Sequence, residues 1–410
     1  MTKIRQNQGL AILKTAGIIT IALAMIRFPQ DVLSAAADGI SVWAKYVVPS
    51  LLPFFILSEL LIGVGFVHLL GVLFEPVMRP IFRLPGSAAF VMAMGFLSGP
   101  PISAILTAKL RRSELLSRLE AERLISFTNN ASPGFVLGAV SAGMFANPAL
   151  GVVLAFSGYL ANLLLGIGLR FYGREDSPTV QAPGGSSIWR RAFRAMYRTQ
   201  VKDSRPFGQL IGDSIRTSIN TILTVGGFIL FFSVLLRLLA QLGILHSLSQ
   251  LLAIVLSPLG LHNSLYPAIS NGLFEMTLGT KSASQSVAPL NQQIILVSSL
   301  MAWSGISVHA QVASFISGTD IRLTPFVIAR TAQAGLAAII TAVCLDYPGL
   351  VPVFQTVGTG IKPWRTEIIA LALATIVSIF ATLAVIMVFL LLTMAKVGFI
   401  RLVKHLFRKL

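Results

Sequence analysis

The sequence predicts an all-α polytopic membrane protein, built as an inverted repeat with two re-entrant hairpins and broken helices. Its 410 residues are 55% hydrophobic and only 11% charged, whereas soluble chains carry about 25% charged residues. Apolar runs of about 20 residues, long enough to cross a bilayer, recur along the chain. Two glycine-broken polar stretches, 95–109 and 272–284, interrupt this pattern. Because irregular backbone survives at membrane depth only when it is buried in protein or lines a cavity, the two stretches predict a binding site.

The distribution of charged residues and the single cysteine argue against a nucleic-acid partner and against a metal site or cofactor. The chain has 32 Lys and Arg against 15 Asp and Glu, but the cations lie at span ends and in connecting segments, as the positive-inside rule predicts. We therefore expect no nucleic-acid partner. The single cysteine, Cys344, gives no internal disulfide and no CxxC metal pair, so we expect neither a metal site nor a cofactor.

Eight segments are predicted to cross the membrane completely: 10–28, 32–62, 122–146, 148–170, 209–239, 293–316, 323–346 and 366–395. The first resembles a secretory signal, because cations precede its apolar run and an alanine triplet follows at 35–37. Arg27, Pro29 and Asp31 separate the alanines from the apolar run by more than a cleavage site normally allows. The sequence therefore favours an uncleaved first helix.

Two half-apolar pairs lie between these spans, 64–82 with 84–109 and 242–258 with 262–282. We interpret each as an amphipathic piece followed by a re-entrant hairpin. Seven cations flank the first broken stretch: Arg79, Arg83, Lys109, Arg111, Arg112, Arg118 and Arg123. The flanks of the second carry only Lys281. Entry of the first hairpin from the cytoplasm and of the second from outside satisfies the positive-inside rule at both. The alternative, four further full spans, leaves Arg79 and Arg83 outside.

The two halves of the chain align weakly by residue, but in order. The matching pairs are Gly65 with Gly243, His68 with His246, Pro80 with Pro258, Gly95 with Gly272, Ser126 with Ser298, Ser132 with Ser304 and Val140 with Val312. Inverted repeats place a site at the membrane midplane; coincidence among abundant Gly and Ser is the alternative. The predicted organisation is an N-terminal membrane helix (1–30), a first repeat (31–171), a basic cytoplasmic linker (172–206), a second repeat (207–346) and a C-terminal membrane helix with a basic tail (347–410).

The linker contains a basic amphipathic segment at 188–202. On a helix, Trp189, Ala192, Phe193 and Met196 share one face, and Arg190, Arg191, Arg194 and Arg198 share the other. A helix lying on anionic lipid explains this pattern. A solvated charge run that sets the topology explains it equally well.

Polar residues at the hairpin tips and within the following spans form the predicted substrate site. The first half supplies Ser98, Gly99, Ser103, Thr128, Asn129, Asn130 and Ser132. The second half supplies Asn271, Glu275, Thr277, Lys281, Ser304, Ser307, His309 and Gln311. Since broken helices aim positive N-terminal ends at a central cavity, a small anionic substrate is favoured.

Among these residues, Glu275 has the strongest individual reason to be functional. A charged side chain at membrane depth costs about 2.5–3.5 kcal/mol even on lenient insertion scales and is functional by default. Proton coupling, pairing with Lys281 or Arg330, and a purely structural ion pair all stay open. His309 is either a ligand and proton relay or a packing partner.

Catalysis is not predicted. Ser304 and His309 lie five residues apart on one segment, which is a poor geometry for a nucleophile and its base in a regular helix. The sequence has no P-loop, no HExxH and no Rossmann fingerprint.

Four segments, 95–112, 122–145, 272–280 and 303–330, resemble the YlbJ (SpoVV) family of sporulation integral membrane proteins of endospore-forming Firmicutes. The resemblance spans about residues 48–345 and implies two Gate repeats of the nucleoside-recognition type. It also implies transport of dipicolinic acid, a planar dianion, across the outer forespore membrane. The chain departs from the family at Pro100, where an aromatic residue is usual.

Two other functions stay open. A nucleoside-type permease is suggested by the Gate resemblance and by Asn129, Asn130 and Gln311, whose amides can bind a base edge. The other is a non-transporting protein that assembles a forespore membrane complex. The sequence is compatible with a homo-oligomer.

Overall fold

The computed structural model describes residue 15 and residues 17–173, 188–203, 205–256 and 260–346. The described residues form helices and connecting segments without a strand, which confirms the all-α prediction. The predicted span 366–395, the C-terminal domain 347–410 and Pro258 lie outside the described residues.

Four helices are long and apolar enough to cross a membrane: Ala149–Leu169, Phe207–Gln241, Leu290–Ile316 and Thr324–Leu345. They coincide with four of the predicted spans. Two bent pairs raise the number to six if each counts as one span: Gly17–Arg27 with Pro29–Lys45, bent by 101°, and Leu51–Gly63 with Phe66–Phe82, bent by 82°. The described part is thus a multi-pass membrane protein.

The predicted complete span 122–146 needs a correction. It consists of two short helices separated by the irregular residues 129–132. Hydropathy favoured a continuous crossing, but two adjacent Asn side chains and Pro133 interrupt the helical hydrogen bonds at this place. The predicted interruption is present, and it divides the segment completely.

The helices follow the same order in both repeats. α1 (Gly17–Arg27) precedes the first repeat. The first repeat comprises α2 (Pro29–Val42), a π-helical turn (Trp43–Val47), α3 (Val48–Gly63), α4 (Phe66–Phe82), α5 (Ala88–Ser98), α6 (Pro100–Arg112), α7 (Arg118–Thr128), the π-helix Gly134–Met144 and α8 (Ala149–Leu169). The linker forms α9 (Ile188–Lys202). The second repeat comprises α10 (Phe207–Gln241), α11 (Ile244–Leu256), a 3₁₀ turn (Asn263–Leu265), α12 (Tyr266–Phe274), α13 (Met276–Ser284), α14 (Leu290–Trp303), α15 (Gly305–Ile316) and α16 (Leu323–Asp346).

Equivalent glycines turn the chain at equivalent places. Gly65, between α3 and α4, has a φ of 74°, and Gly243, between α10 and α11, has a φ of 72°. This left-handed conformation is readily available only to glycine. The alignment of these two residues therefore has a structural cause.

The two repeats pack on each other through equivalent pairs of helices. α15 of the second repeat packs on α6 of the first, and the π-helix of the first packs on α13 of the second. The equivalent helices α8 and α16 pack on each other. This is the packing expected of two copies related by a pseudo-two-fold axis.

The arms of each helical hairpin approach closely at glycines. A Cβ added to Gly279 on α13 would lie 2.3 Å from the Cα atom of Gly272 on α12. A Cβ added to Gly95 on α5 would lie 3.0 Å from the Cβ atom of Ser103 on α6, the other arm of the first hairpin, and 2.6 Å from the carbonyl oxygen of Thr128 on α7. The hairpins are therefore packed at backbone distance, which no larger residue allows at these positions.

Charges join the first hairpin to the loop between α15 and α16. Arg111 Nε lies 2.8 Å from Asp320 Oδ1, and Arg322 Nε lies 2.8 Å from Glu122 Oε1. The hydrogen bond from Arg111 lowers the pKa of Asp320 below its usual value. We call these two pairs the ionic junction, because each connects the first repeat to the second.

The equivalent contact of the second hairpin is apolar. Phe145, which follows the π-helix, packs in one apolar cluster with Ala283 and Ala288, which lie at and beyond the end of α13. We call this contact the apolar junction. The two junctions occupy corresponding places in the repeats but are held by different forces.

Candidate functional site

Each hairpin tip packs against the interrupted helix of its own repeat. A Cβ added to Gly99, at the first tip, would lie 3.5 Å from the Cβ atom of Ser132. A Cβ added to Gly305 would lie 3.0 Å from the Cα atom of Glu275, at the second tip. We call residues 129–132 the first break and Ser304 the second break. Both predicted interruptions in each repeat are thus brought into contact.

The first tip and the first break contain buried polar groups without partners in the protein. Ser98, Asn129 and Asn130 are 2%, 0% and 3% exposed. The Ser98 hydroxyl, both amide atoms of Asn129 and Nδ2 of Asn130 make no hydrogen bond to protein. Such a group costs about 1–3 kcal/mol when it stays unsatisfied. This concentration of free donors and acceptors is what a polar ligand can satisfy.

Other predicted residues of the first half bond to their own backbone. The hydroxyls of Ser103 and Thr128 donate to the carbonyl oxygens of Pro100 and Leu124, at 3.3 and 2.7 Å. Ser132 Oγ accepts from the N–H of Phe135 at 3.3 Å. These side chains support the tip and the break locally.

At the second break, two consecutive residues adopt left-handed backbone. Ser304 has a φ of 71° and Gly305 has a φ of 81°. The left-handed region is unfavourable for serine and is retained where surrounding structure holds it. Ser304 is fully buried, and its hydroxyl donates to the Met301 carbonyl at 3.2 Å. This break interrupts the helix between α14 and α15 within the apolar span Leu290–Ile316.

Glu275 lies between α12 and α13 and caps the second of them. Its Oε2 atom accepts from the N–H of Leu278 at 2.8 Å, which is the position of an N-cap. The ion pairs of the described residues join Glu275 neither to Lys281 nor to Arg330, so this conformation does not show the pairing that the sequence left open. Lys281 is exposed.

Arg330, on α16, connects the two breaks. Its side chain is fully buried. One terminal nitrogen donates to the carbonyls of Asn129 and Ala302, and the other donates to Ser126 O at 3.2 Å and Asn162 Oδ1 at 3.0 Å. The three carbonyls belong to the C-terminal ends of α7 and α14, where helices leave carbonyls unpaired.

Two features make Arg330 more than a packing residue. Its Nε atom has no partner in the protein, and the ion pairs of the described residues give it no carboxylate. An ionisable side chain within a predicted span is a functional candidate by default. An arginine inside the apolar segment 323–346 is the signal that the sequence offers for this role, although the sequence-based prediction named Arg330 only as a partner for Glu275.

His309 sits one turn beyond the second break. Its Nδ1 lies 2.7 Å from the Gly305 carbonyl, so Nδ1 carries the proton in that contact. The ring packs against Trp303 at a centroid distance of 4.3 Å and against Phe326 at 5.1 Å. Its Nε2 atom is buried without a protein partner. His309 therefore packs against two aromatic rings and also has a ring nitrogen, Nε2, that a ligand can use.

A small cavity lies beside the first break. It has about 20 Å³ of space for solvent, which is room for about one water molecule. Its lining includes Asn130, Tyr159, Ser298 and Gln333. The Oε1 atom of Gln333, whose side chain is 1% exposed, has no protein partner. Tyr159, Ser298 and Gln333 were not in the predicted site, because their positions in apolar spans do not reveal which way they face.

The remaining predicted residues lie on the elements that surround the second break. Ser307 and Gln311 are buried on α15, whereas Asn271 on α12 and Thr277 on α13 are half-buried. Lys281 differs from the other predicted residues of the second half because its side chain is exposed on α13. Among the described residues, no three His, Cys, Asp or Glu side chains lie together as metal ligands.

Comparisons with known proteins agree with this architecture. The Gate family model, described as nucleoside recognition, matches residues 44–163 and 222–319, one segment in each repeat. The chain is 46% identical over 321 residues to the sporulation integral membrane protein YlbJ of Bacillus subtilis (strain 168), which covers 77% of this chain and 78% of the relative. No solved structure matches the chain significantly.

Proposed function

We infer the function from the premise that this chain belongs to the Gate, or nucleoside recognition, family and is a homologue of a sporulation integral membrane protein. The chain is accordingly a multi-pass membrane protein of the sporulation type. We propose that it moves dipicolinate, or a closely similar small dianion, across the outer forespore membrane by alternating access. The family resemblance suggests the substrate, and the charges at the breaks support it.

The observation that carries the proposal is that Arg330 joins the first break, at Asn129, to the end of α14 that precedes the second break, at Ala302. Each of the two tips and two breaks joins a C-terminal helix end to an N-terminal one, and these partial charges of about half a unit cancel overall. Once the partial charges of the helix ends cancel, the full charges that remain near the tips and breaks are those of Arg330 and Glu275. The sign of the site depends on whether Glu275 carries a proton.

This balance supports proton-coupled binding of an anion. With Glu275 ionised, the site is neutral; with Glu275 protonated, the site carries the full charge of Arg330. The partnerless atoms at Ser98, Asn129 and Asn130 then supply donors for carboxylate oxygens. We propose that dipicolinate enters with a proton on Glu275.

The substrate needs a larger space than this conformation offers. The cavity beside Asn130 accommodates about one water molecule, which is far less than a pyridine ring with two carboxylates requires. We propose that the hairpin tips separate from the breaks to admit it, first from one side and then from the other.

Uptake by reconstituted protein tests this function. Vesicles that contain the protein should accumulate labelled dipicolinate, and an inward proton gradient should accelerate uptake. Glu275→Gln keeps an acceptor for the Leu278 N–H but cannot titrate, so this variant should bind dipicolinate and lose the acceleration by the gradient. The proposal fails if the protein neither binds nor moves dipicolinate and spores of a Glu275→Ala strain keep a normal dipicolinate content.

A nucleoside-type permease is the second candidate. Asn130 and Gln333, which line one cavity and each have a free amide atom, are the donor–acceptor type that binds a base edge. Saturable uridine uptake by the same vesicles, without dipicolinate uptake, would favour this function. If neither substrate moves and only linker variants impair sporulation, the assembly role stands instead.

A further inference from the structure

The linker helix α9 presents three distinct faces. Its inner face packs on α4, where Ala192 is fully buried. A Cβ added to Gly65 would lie 2.8 Å from the Met196 carbonyl oxygen, and Gln200 Nε2 donates to the Val64 carbonyl at 3.0 Å. α9 is therefore fixed to the bend between α3 and α4. The predicted helix is confirmed, but Ala192 does not share an environment with Trp189.

The second face is an exposed apolar row, spaced one helical turn apart. Trp189, Phe193, Tyr197 and Val201 are 58%, 53%, 65% and 63% exposed. The described residues leave this row uncovered, although the inner face of α9 is already packed. Exposed aromatic residues in a row mark an interaction surface rather than a core.

The third face is a row of cations beside the aromatic row. Arg190, Arg194, Arg198 and Lys202 each follow an apolar residue of the second face by one position, and all four are exposed. Aromatic rings settle at the level of lipid headgroups, and cations next to them attract anionic headgroups by about 1 kcal/mol each. The two rows together match a headgroup layer.

The direction of α4 places this surface at the membrane boundary. α3 belongs to a predicted span, and α4 is bent from it by 82°. A helix at nearly a right angle to a span runs close to the membrane plane, and α9 packs on this helix. We propose that α9 lies on the cytoplasmic leaflet, with its aromatic row among the headgroups and its cations on anionic lipid.

The single cysteine makes a direct test possible. In a Cys344→Ala background, a nitroxide label is placed at Phe193→Cys or Tyr197→Cys, and its contact with oxygen and with a water-soluble nickel complex is measured. Leu223→Cys, exposed on the apolar helix α10, is the lipid reference, and Ser317→Cys, exposed in a loop, is the water reference. The protein is embedded in discs of phosphatidylcholine, with or without a third of phosphatidylglycerol.

We expect the labels at 193 and 197 to resemble the lipid reference in the anionic discs and to shift toward the water reference without phosphatidylglycerol. Arg190→Gln and Arg194→Gln should each lower the ratio of docked to undocked helix about fivefold. Arg237→Gln, an exposed cation on α10, should leave it unchanged. Labels that match the water reference in both discs, that are shielded from both reagents by protein, or that ignore lipid charge would each overturn the proposal.

Discussion

At the scale of single residues, Arg330 organises the candidate site. Its donors satisfy carbonyls of α7 and α14 together with Asn162. A guanidinium presents five donors in a rigid fork and can reach acceptors on different elements, whereas lysine has three donors on a single nitrogen. The residue therefore both holds the repeats together and supplies the charge on which the proposed anion binding depends.

Replacing Arg330 should damage stability and transport together. Arg330→Met leaves several buried acceptors without donors, and each such group costs about 1–3 kcal/mol of unfolding free energy. Arg330→Lys keeps the charge and should lose less stability than Arg330→Met. Thermal unfolding in detergent and dipicolinate uptake measure the two effects. Arg237→Met removes an exposed arginine from another apolar helix and should change neither; an Arg330→Met protein with unaltered unfolding would contradict the assignment.

The sequence could predict the local partners at the site but not the distant ones. Gly99 contacts Ser132 and Glu275 contacts Gly305 because each tip and break are neighbours along one repeat. Arg330 reaches Asn129 across 201 residues of chain, and spacing provides no register over that distance. Glu275 was predicted as a functional charge, whereas its N-cap role depends on the turn at the tip.

At the scale of elements, the hairpins depend on backbone contact between their arms. α12 and α13 meet at Gly272 and Gly279, and α5 meets α6 at Gly95 and Ser103. A polar stretch rich in glycine predicts such an interruption, which is why both hairpins were anticipated. Segment 122–146 was predicted as one complete crossing, because a hydropathy average counts apolar residues and does not show that the polar residues 129–132 divide the helix.

Gly279→Ala should separate the arms of the second hairpin. The new methyl would lie 2.3 Å from the Gly272 Cα atom, so backbone must move, and we expect a loss of at least about 2 kcal/mol. Gly335→Ala on α16 is the matched control, because no atom lies within 4 Å of its new Cβ and alanine favours helix by about 1 kcal/mol. Thermal unfolding of both variants checks this; equal unfolding temperatures would show that the hairpin arms are not close-packed.

At the scale of the whole molecule, two corresponding junctions hold the repeats in different ways. The ionic junction uses Arg111 with Asp320 and Arg322 with Glu122, and the apolar junction uses side chains such as Phe145. The alternating access that we propose requires that one contact opens while the other stays closed. An exposed pair such as Arg111–Asp320 is worth only about 0.2–1 kcal/mol, which is small enough to break in a transport cycle.

The proton dependence of the ionic junction follows from Asp320. Arg111 lowers the pKa of this carboxyl, so the pair contributes fully above the usual aspartate pKa of about 4 and is lost as the pH falls below it. Between pH 6 and 8 this pair should add no pH dependence. Any proton coupling in that range must come from elsewhere, and Glu275 is the group that we propose for it.

Charge reversal at the ionic junction should open the site on that side. The probe is Ala131→Cys, beside the cavity, in a Cys344→Ala background, and the readout is its labelling rate by a membrane-impermeant thiol reagent added from the side of the junction. Arg111→Asp and Asp320→Arg each create a like-charge pair, and removal of up to about 1 kcal/mol should raise the rate about fivefold. The double variant, Arg111→Asp with Asp320→Arg, restores opposite charges and should return the rate toward the original. Labelling that rises in the double variant as much as in the single ones, or that does not change at all, would mean that this junction does not hold the two repeats closed.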